Sequence, residues 1–386
     1  MEKYDHQRLV HEEIYMIHFI KRKILQKYVD IKINNMKKIS TDMNIIEANN
    51  NLRSFYSKEY PDFIQENEIC ATVDLQIIIP VYNVEKYIVE CIDSVLSQKT
   101  KYTYHIVIIN DGSTDNSLEL INNYKNNSNI TIINCDNNGV SKARNIGLKC
   151  IKGRYVMFMD SDDKLVPEAV EKLLDTAYNY AAQIVEGGHQ IFKGSEKLDV
   201  FTHGVETFRC NRLDLFGYPW GKVIRSDCLK NFCFPEGYLF EDTVMSTLLY
   251  PECNEIYCIP DIVYLYRINE NGITIQSSNN IKSIDTFWIT KYCLEERIKR
   301  GQMLDVRDFE RYLQAVYRNW GRTKNISLEI QESIFVLTCD LLENNFHHFL
   351  HSYSEKYKVL TEIMKCKSFE AFLVLMENWW LIMSRK

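Results

Sequence analysis

Leu75-Gln76-Ile77-Ile78-Ile79-Pro80-Val81-Tyr82-Asn83 opens the pattern that decides the fold. A short apolar run ends in polar residues, a stretch with helical spacing follows, and the cycle repeats. Strands are expected at Leu75–Val81, His105–Asn110, Ile130–Cys135 and Arg154–Asp160, with helices at Val84–Ser97, Asp115–Lys125 and Val140–Ile151 between them. Strands alternating with helices of this length are βαβ units feeding a mostly parallel, doubly wound sheet with helices on both faces. The strands are almost wholly apolar (Ile77-Ile78-Ile79, Ile106-Val107-Ile108-Ile109), as strands covered on both faces must be. The fold class is α/β.

The flanks read differently. Residues 1–70 are expected to be helical: Ile17, Ile20, Ile24 and Tyr28 recur at helical spacing, Lys21, Arg22, Lys23 and Lys27 occupy other faces, and glycine is absent. The pattern changes at Asp74. After Pro167 a helix runs to about Ala182, then shorter segments reach about Ile275, and 280–386 returns to long amphipathic helices without proline. The expected organisation is a helical extension over 1–73, an α/β domain over 74–275 and a helical region over 276–386. The basic first helix and the apolar Phe369–Lys386 run, with Trp379, Trp380 and a terminal Arg385-Lys386, fit three roles. They can pack as core, pair two copies into a homo-oligomer, or lie peripherally on an anionic membrane.

Composition narrows the class further. With 46% hydrophobic content in 386 residues the chain can bury a real core. Its 46 Lys+Arg against 52 Asp+Glu give a net charge of −6, which offers no pull toward nucleic acid. The 12 cysteines include no Cys-x-x-Cys and sit mostly in apolar runs, as buried free thiols of a reducing cytosol do. No signal peptide and no transmembrane run of about 18 apolar residues is visible, so a cytoplasmic location is expected.

In open α/β sheets, ligands bind outside the carboxyl ends of the strands. Four polar clusters follow the four strands: Pro80-Val81-Tyr82-Asn83, Asn110-Asp111-Gly112-Ser113-Thr114-Asp115, Asp136-Asn137-Asn138-Gly139 and Asp160-Ser161-Asp162-Asp163. Taken singly, the first three are good turns and helix caps. The fourth resists that reading, because three aspartates in four residues repel one another unless a cation is present. Mg²⁺ or Mn²⁺ suits such a site, taking one or two carboxylates plus substrate phosphates. No P-loop and no Gly-x-Gly-x-x-Gly follows the first strand, which excludes the usual ATPase and dinucleotide sites. A nucleotide held by the Tyr82 ring, the Asp111 carboxylate and a metal at its pyrophosphate remains.

With Gly139-Val140-Ser141-Lys142-Ala143-Arg144-Asn145-Ile146-Gly147 added, these clusters resemble the signatures of glycosyltransferase family 2 over roughly residues 74–275. The resemblance implies a GT-A fold and an inverting transferase that moves sugar from a UDP-sugar to a glycan or lipid-linked acceptor, with Mn²⁺ or Mg²⁺. It implies a role in bacterial surface polysaccharide or glycoconjugate synthesis. Carried over by position, Pro80 and Tyr82 line the uracil pocket and Asp111 pairs with the base. Lys142 or Arg144 lies near the nucleotide, with Ser113 and Ser161 also on the donor side. Asp160 approaches the ribose, and Asp162, with Asp160, serves the metal. Phe234-Pro235-Glu236-Gly237-Tyr238-Leu239-Phe240-Glu241-Asp242 resembles the family's Glu-Asp segment, in which Asp242 is the general base and Glu241 stands on the acceptor side. Trp220-Gly221-Lys222 resembles the acceptor-side stretch before it.

An inverting transfer needs these parts. A base takes the acceptor proton on one face while the cation neutralises the departing diphosphate on the other. The bland reading of Glu241-Asp242 is a cap on a helix over Thr243–Leu249. Tyr266-Arg267-Ile268-Asn269-Glu270-Asn271-Gly272-Ile273-Thr274 resembles the loop after the base, but many relatives carry His at or near Asn269 and Ser at Gly272. A side-chain metal ligand from this loop is therefore without support. Two rivals remain. One is a non-catalytic nucleotide-sugar or glycan-binding protein on a degenerate transferase fold. The other, a sugar-phosphate nucleotidyltransferase, needs a Gly-rich, Arg-containing loop where Val81-Tyr82-Asn83-Val84 stands.

Overall fold

The structure, a computed structural model, describes residues 23–25, 27–269, 272, 280–350 and 357–380. The chain forms two compact units, one of residues 59–302 and one of residues 1–58 with 303–386.

The 59–302 unit is organised by one sheet of ten described strands: β1 Glu68–Val81, β2 Tyr104–Asp111, β3 Ile130–Cys135, β4 Cys150–Phe158, β5 Lys164–Leu165, β6 Ile184–Lys193, β7 Glu196–Phe201, β8 Phe208–Arg209, β9 Lys222–Arg225 and β10 Ile256–Arg267. Their order is β3-β2-β1-β4-β9-β6-β10-β5, with β7 beside β6 and β8 beside β10. β1 to β4 are mutually parallel, and so are β6 and β10. Since β9 runs antiparallel to both β4 and β6, all six of those strands point the same way. Only the short β5, β7, β8 and β9 are reversed.

The apolar runs explain the layers. Ile77 and Ile79 join a core that includes Ile88, Cys91, Ile92 and Val95, the i, i+3, i+4, i+7 face of the helix Ile88–Leu96. Ile78 points the other way, toward the helix Val140–Leu148. There a Cβ on Gly147 would stand 2.6 Å from Ile78 Cγ2, so only glycine lets helix and strand approach this closely. Each fully buried Ile contributes roughly 1.5–3 kcal/mol relative to exposure. Helices on both faces of a mostly parallel sheet are what the alternation dictates.

Several boundaries differ from expectation, each for a tertiary reason. The first helix of this unit starts at Ile88, not Val84, because the Val84 and Glu85 amides donate to Ser117 Oγ (2.9 Å) and Asp115 Oδ2 (3.0 Å) at the start of the next helix. Asp115–Lys125 shortens to the helix Ser117–Asn122, and the helix after Pro167 covers Ala169–Asn179. The third helix ends at Leu148, and Ile151 joins β4, since Cys150 and Ile151 pair with Glu68 and Ile69. That pairing also starts β1 at Glu68, so residues 56–70 are not helical as expected.

In the other unit, helices lie at 27–36, Ile45–Phe55, Val306–Thr323, Leu328–Phe346, Lys358–Cys366 and Phe369–Glu377. Asp305 and Asp308 form a reciprocal cap at the start of Val306–Thr323. Phe335 packs on Phe369 and Phe372 at 5.7 and 4.7 Å between ring centres. Of the residues expected to mark the first helix, Ile24 and Tyr28 are exposed, while Ile17, Ile20, Lys21 and Arg22 lie outside the described residues, as do Arg385 and Lys386. No described helix is long and apolar enough to cross a membrane.

Candidate active site

Because the six codirectional strands end on one edge, the loops after β1, β2, β3 and β4 emerge side by side, and reversed β9 brings Trp220-Gly221 to the same edge. β2 and β4 flank β1, so Asp111 and Asp160 leave the sheet two strand spacings apart, about 10 Å.

The first three loops are tied to one another. Asn83, at φ 50°, donates its amide to Ser113 Oγ (3.2 Å) and accepts from the Thr114 amide (2.8 Å). Pro80 is buried within β1 against β2, and Tyr82 beside it is 46% exposed. Asp111 is buried, and its two oxygens accept the Asn138 and Gly139 amides, each at 2.8 Å. Gly112 sits at φ +67°, where a Cβ would stand 2.7 Å from the Asn137 nitrogen. The Asp-Gly dipeptide is thus the joint between the second and third loops.

The acidic cluster after β4 is more specialised. Asp163 is fully buried, and its carboxylate accepts from the Tyr264 hydroxyl (2.8 Å) and the Arg267 amide (2.7 Å). Burial pushes its carboxyl well up, and the negative charges of Asp162 and Asp160 add to that. Asp162 is also raised, first by burial and then by Asp160. Its Oδ2 accepts from Asn269 Nδ2 at 2.9 Å, and its carbonyl accepts from Arg267 Nε at 2.7 Å. Asp160 Oδ1 accepts from Arg144 Nη2 at 2.8 Å. Ser161 is buried between them. Oδ2 of Asp160 and Oδ1 of Asp162 are not used by these bonds. Among the described residues no group of three or more His, Cys, Asp or Glu side chains is arranged to hold a metal. Any cation here would rest on these two carboxylates and on phosphate oxygens, the sparse protein set that Mg²⁺ accepts.

The Glu-Asp segment is mounted from the helix Val140–Leu148. Asn145 accepts the Phe234 amide (2.8 Å) and donates to the Phe234 carbonyl (2.9 Å) and to Glu236 (3.1 Å), while Lys142 pairs with Glu236 at 3.0 Å. Arg144, itself buried, reaches Glu241 Oε1 with Nη1 at 2.6 Å. Burial pushes the Glu241 carboxyl up against the pull of Arg144, with Asp242 adding to the rise. Phe240 is held at φ 62°, a left-handed conformation unusual for an aromatic residue, directly before Glu241-Asp242. The Asp242 carbonyl then accepts the Met245 amide (2.9 Å), and the chain is helical over 243–249 as the bland reading expected, with a π-helix over Met245–Leu249.

The acceptor-side stretch divides. The Trp220 ring stacks between Tyr218 and Tyr264, both 4.5 Å away, and Tyr264 also receives the Asp160 amide at 3.1 Å. Trp220 is therefore stacked on the tyrosine that holds the acidic cluster. Lys222 is 0% exposed, pairs with buried Glu186, and donates to the Phe216 carbonyl (2.9 Å) and Tyr250 hydroxyl (2.7 Å). The structure thus gathers Arg144, Asp160 and Glu241 into one ionic chain and seats Lys222 in an interior pair. Asp163, Tyr264, Arg267 and Asn145 join the site without having been singled out. Asn145 and Asp163 lay inside quoted motifs, but nothing in the sequence marks Tyr264 within its apolar strand. Glu270, Asn271, Ile273 and Thr274 lie outside the described residues.

Known proteins resemble this chain in sequence and fold. The sequence profile described as "Glycosyl transferase family 2" matches residues 76–231. Glycosyltransferase GlyA of Streptococcus pneumoniae serotype 4 is 31% identical over 219 residues, 52% of this chain and 31% of that protein. The uncharacterized glycosyltransferase EpsJ of Bacillus subtilis is 30% identical over 222 residues, 52% of this chain and 62% of that protein. The chain thus covers less than two thirds of either relative. Among solved structures, S. aureus TarS 1-349 in complex with UDP-GlcNAc superposes with a TM-score of 0.63 at 21% identity, over 80% of this chain and 91% of that one.

Proposed function

The chain belongs to glycosyl transferase family 2 through the domain of residues 76–231, and on that premise we propose that it is an inverting transferase moving sugar from a UDP-sugar to a glycan or lipid-linked acceptor of the bacterial surface. The observation that carries this reading is the ionic chain Asp160–Arg144–Glu241, which ties the acidic cluster of the donor edge to the segment bearing Asp242. TarS, solved both with UDP-GlcNAc and with UDP, supports a uridine donor.

In this reading the uracil lies along Tyr82 near Asp111, and the Ser113 side of the second loop borders the donor. Asp162, with Asp160, would hold Mn²⁺ or Mg²⁺, and such a cation would offset the burial and, after it, the Asp160 charge that raise Asp162. When bound, the cation supplies charge neutralisation for the departing diphosphate. Asp242 takes the proton from the acceptor hydroxyl as its oxygen bonds to the anomeric carbon and the bond to UDP breaks on the opposite face. The interior seat of Lys222 suits a supporting role beneath Trp220.

Exposed Tyr28 and Ile31, with exposed Lys27 and Lys32 on the same short helix, support a peripheral seat on the anionic inner face of the membrane. The test of function is a screen of UDP-, GDP- and dTDP-sugars with Mn²⁺, scored by donor hydrolysis where no acceptor is known. Turnover of a UDP-sugar supports the proposal. Absence of turnover with UDP tightly bound would favour a nucleotide-sugar-binding protein.

A further inference from the structure

Arg144 lies in a motif whose resemblance points to the nucleotide, yet its surroundings describe another task. It is 3% exposed, with Nη2 on Asp160 Oδ1 (2.8 Å) and Nη1 on Glu241 Oε1 (2.6 Å). Its guanidinium stands 5.2 Å from the Phe234 ring centre, and its buried Nε has no hydrogen-bond partner. One cation thus bridges two carboxyl groups 81 residues apart in sequence, one after β4 and one in the segment that carries Asp242. A planar fork with both ends engaged and one face on an aromatic ring is a fixed strut.

The neighbours share the task. Asn145 holds the Phe234 backbone at both its amide and its carbonyl, and Lys142 pairs with Glu236. One turn of one largely buried helix therefore grips the 234–241 segment at three places. The left-handed Phe240 needs such outside restraint to persist.

We propose that Arg144 is a positioning residue of the transfer reaction: it sets the Glu241–Asp242 pair against the donor edge and does not itself bind the nucleotide. The inference rests on the transferase reading above. A misplacement of the base by about 1 Å can lower the rate about 10²-fold, whereas the nucleotide keeps its own contacts. Asp160 is separately held through its amide by Tyr264 (3.1 Å), so loss of the strut leaves the donor edge in place.

The experiment compares the full-length chain with Arg144→Lys, Glu241→Ala and the double variant. It measures kcat for sugar transfer, Kd for UDP with Mn²⁺ by calorimetry, and thermal unfolding. Lysine reaches only one of the two carboxylates, so each single variant should lose about 10²-fold in kcat. The double variant should fall less than about threefold further, as expected for residues acting through one another, and Kd for UDP should move less than about threefold in all three. A UDP affinity that falls as far as kcat in Arg144→Lys, while Glu241→Ala binds UDP normally, would make Arg144 a nucleotide ligand and overturn the inference. So would fully additive losses of kcat. If Arg144→Lys fails to fold, Glu241→Ala alone decides, and a wild-type kcat overturns the inference. If the wild type binds UDP but turns over no UDP-sugar, the transferase reading fails separately, and the UDP affinities of the two single variants still show whether Arg144 serves the nucleotide.

Discussion

Tyr264 donates its hydroxyl to Asp163 Oδ2 at 2.8 Å and in return receives the Asp160 amide at 3.1 Å, so one buried phenol holds both ends of the acidic cluster. Tyr264→Phe keeps the ring stacked on Trp220 but removes both bonds. Leaving a buried partner unsatisfied costs about 1–3 kcal/mol, and urea denaturation should show a loss in that range. Unchanged stability would mean that Asp163 is satisfied in some other way.

Asp162 and Asp163 make the metal-free site sensitive to pH. Burial raises the folded pKa of Asp162 above its unfolded value, so the folded state holds that proton more tightly. Its effect is absent below the ordinary carboxylate range near 3.9, and stability falls as pH rises from there through the raised folded value. Asp162→Asn removes the penalty. Without metal at pH 7 it should melt above the wild type, and the gap should close as the pH is taken below about 4. Adding Mn²⁺ should stabilise the wild type and leave the variant unmoved. Equal response of both proteins to Mn²⁺ would place the cation elsewhere.

Lys222 and Glu186 form an interior ion pair, joined at 2.9 Å on its other oxygen by His203. Removing one member of a buried pair costs about 3–5 kcal/mol. Lys222→Met should lose stability on that scale in urea denaturation, and Glu186→Gln added to it should recover part of the loss. A Lys222→Met protein of wild-type stability that no longer transfers sugar would instead make Lys222 an acceptor contact.

Much of this site could be read from the sequence because strand and turn signals are local. Ile77-Ile78-Ile79 before Tyr82-Asn83, and Val156-Met157-Phe158-Met159 before Asp160, announce buried strands with polar ends, and those ends do meet on one edge. What stayed hidden depends on distant partners. Nothing near Val84 tells that Ser117 and Asp115 will take the amides a helix would use. Nothing near Arg144 names Glu241, 97 residues on, and nothing near Lys222, read as an acceptor-side residue, names the Glu186 that β6 and β9 pairing sets opposite it. The aspartate cluster was legible as a unit, but its division was not. Asp163 turns inward because Tyr264 and Arg267 of β10 supply its donors.

The central claim is that Asp242 is the base of a sugar transfer from a UDP-linked donor, and the most direct measurement is Asp242→Asn followed by kcat for transfer and Kd for UDP with Mn²⁺. Asparagine keeps the shape but cannot accept the proton, and general-base contributions run to about 10²–10⁴-fold. The account predicts a fall in kcat of that order with the UDP Kd within about threefold of wild type, because the base acts in the transition state and not in donor binding. Transfer by Asp242→Asn at close to the wild-type rate would contradict it.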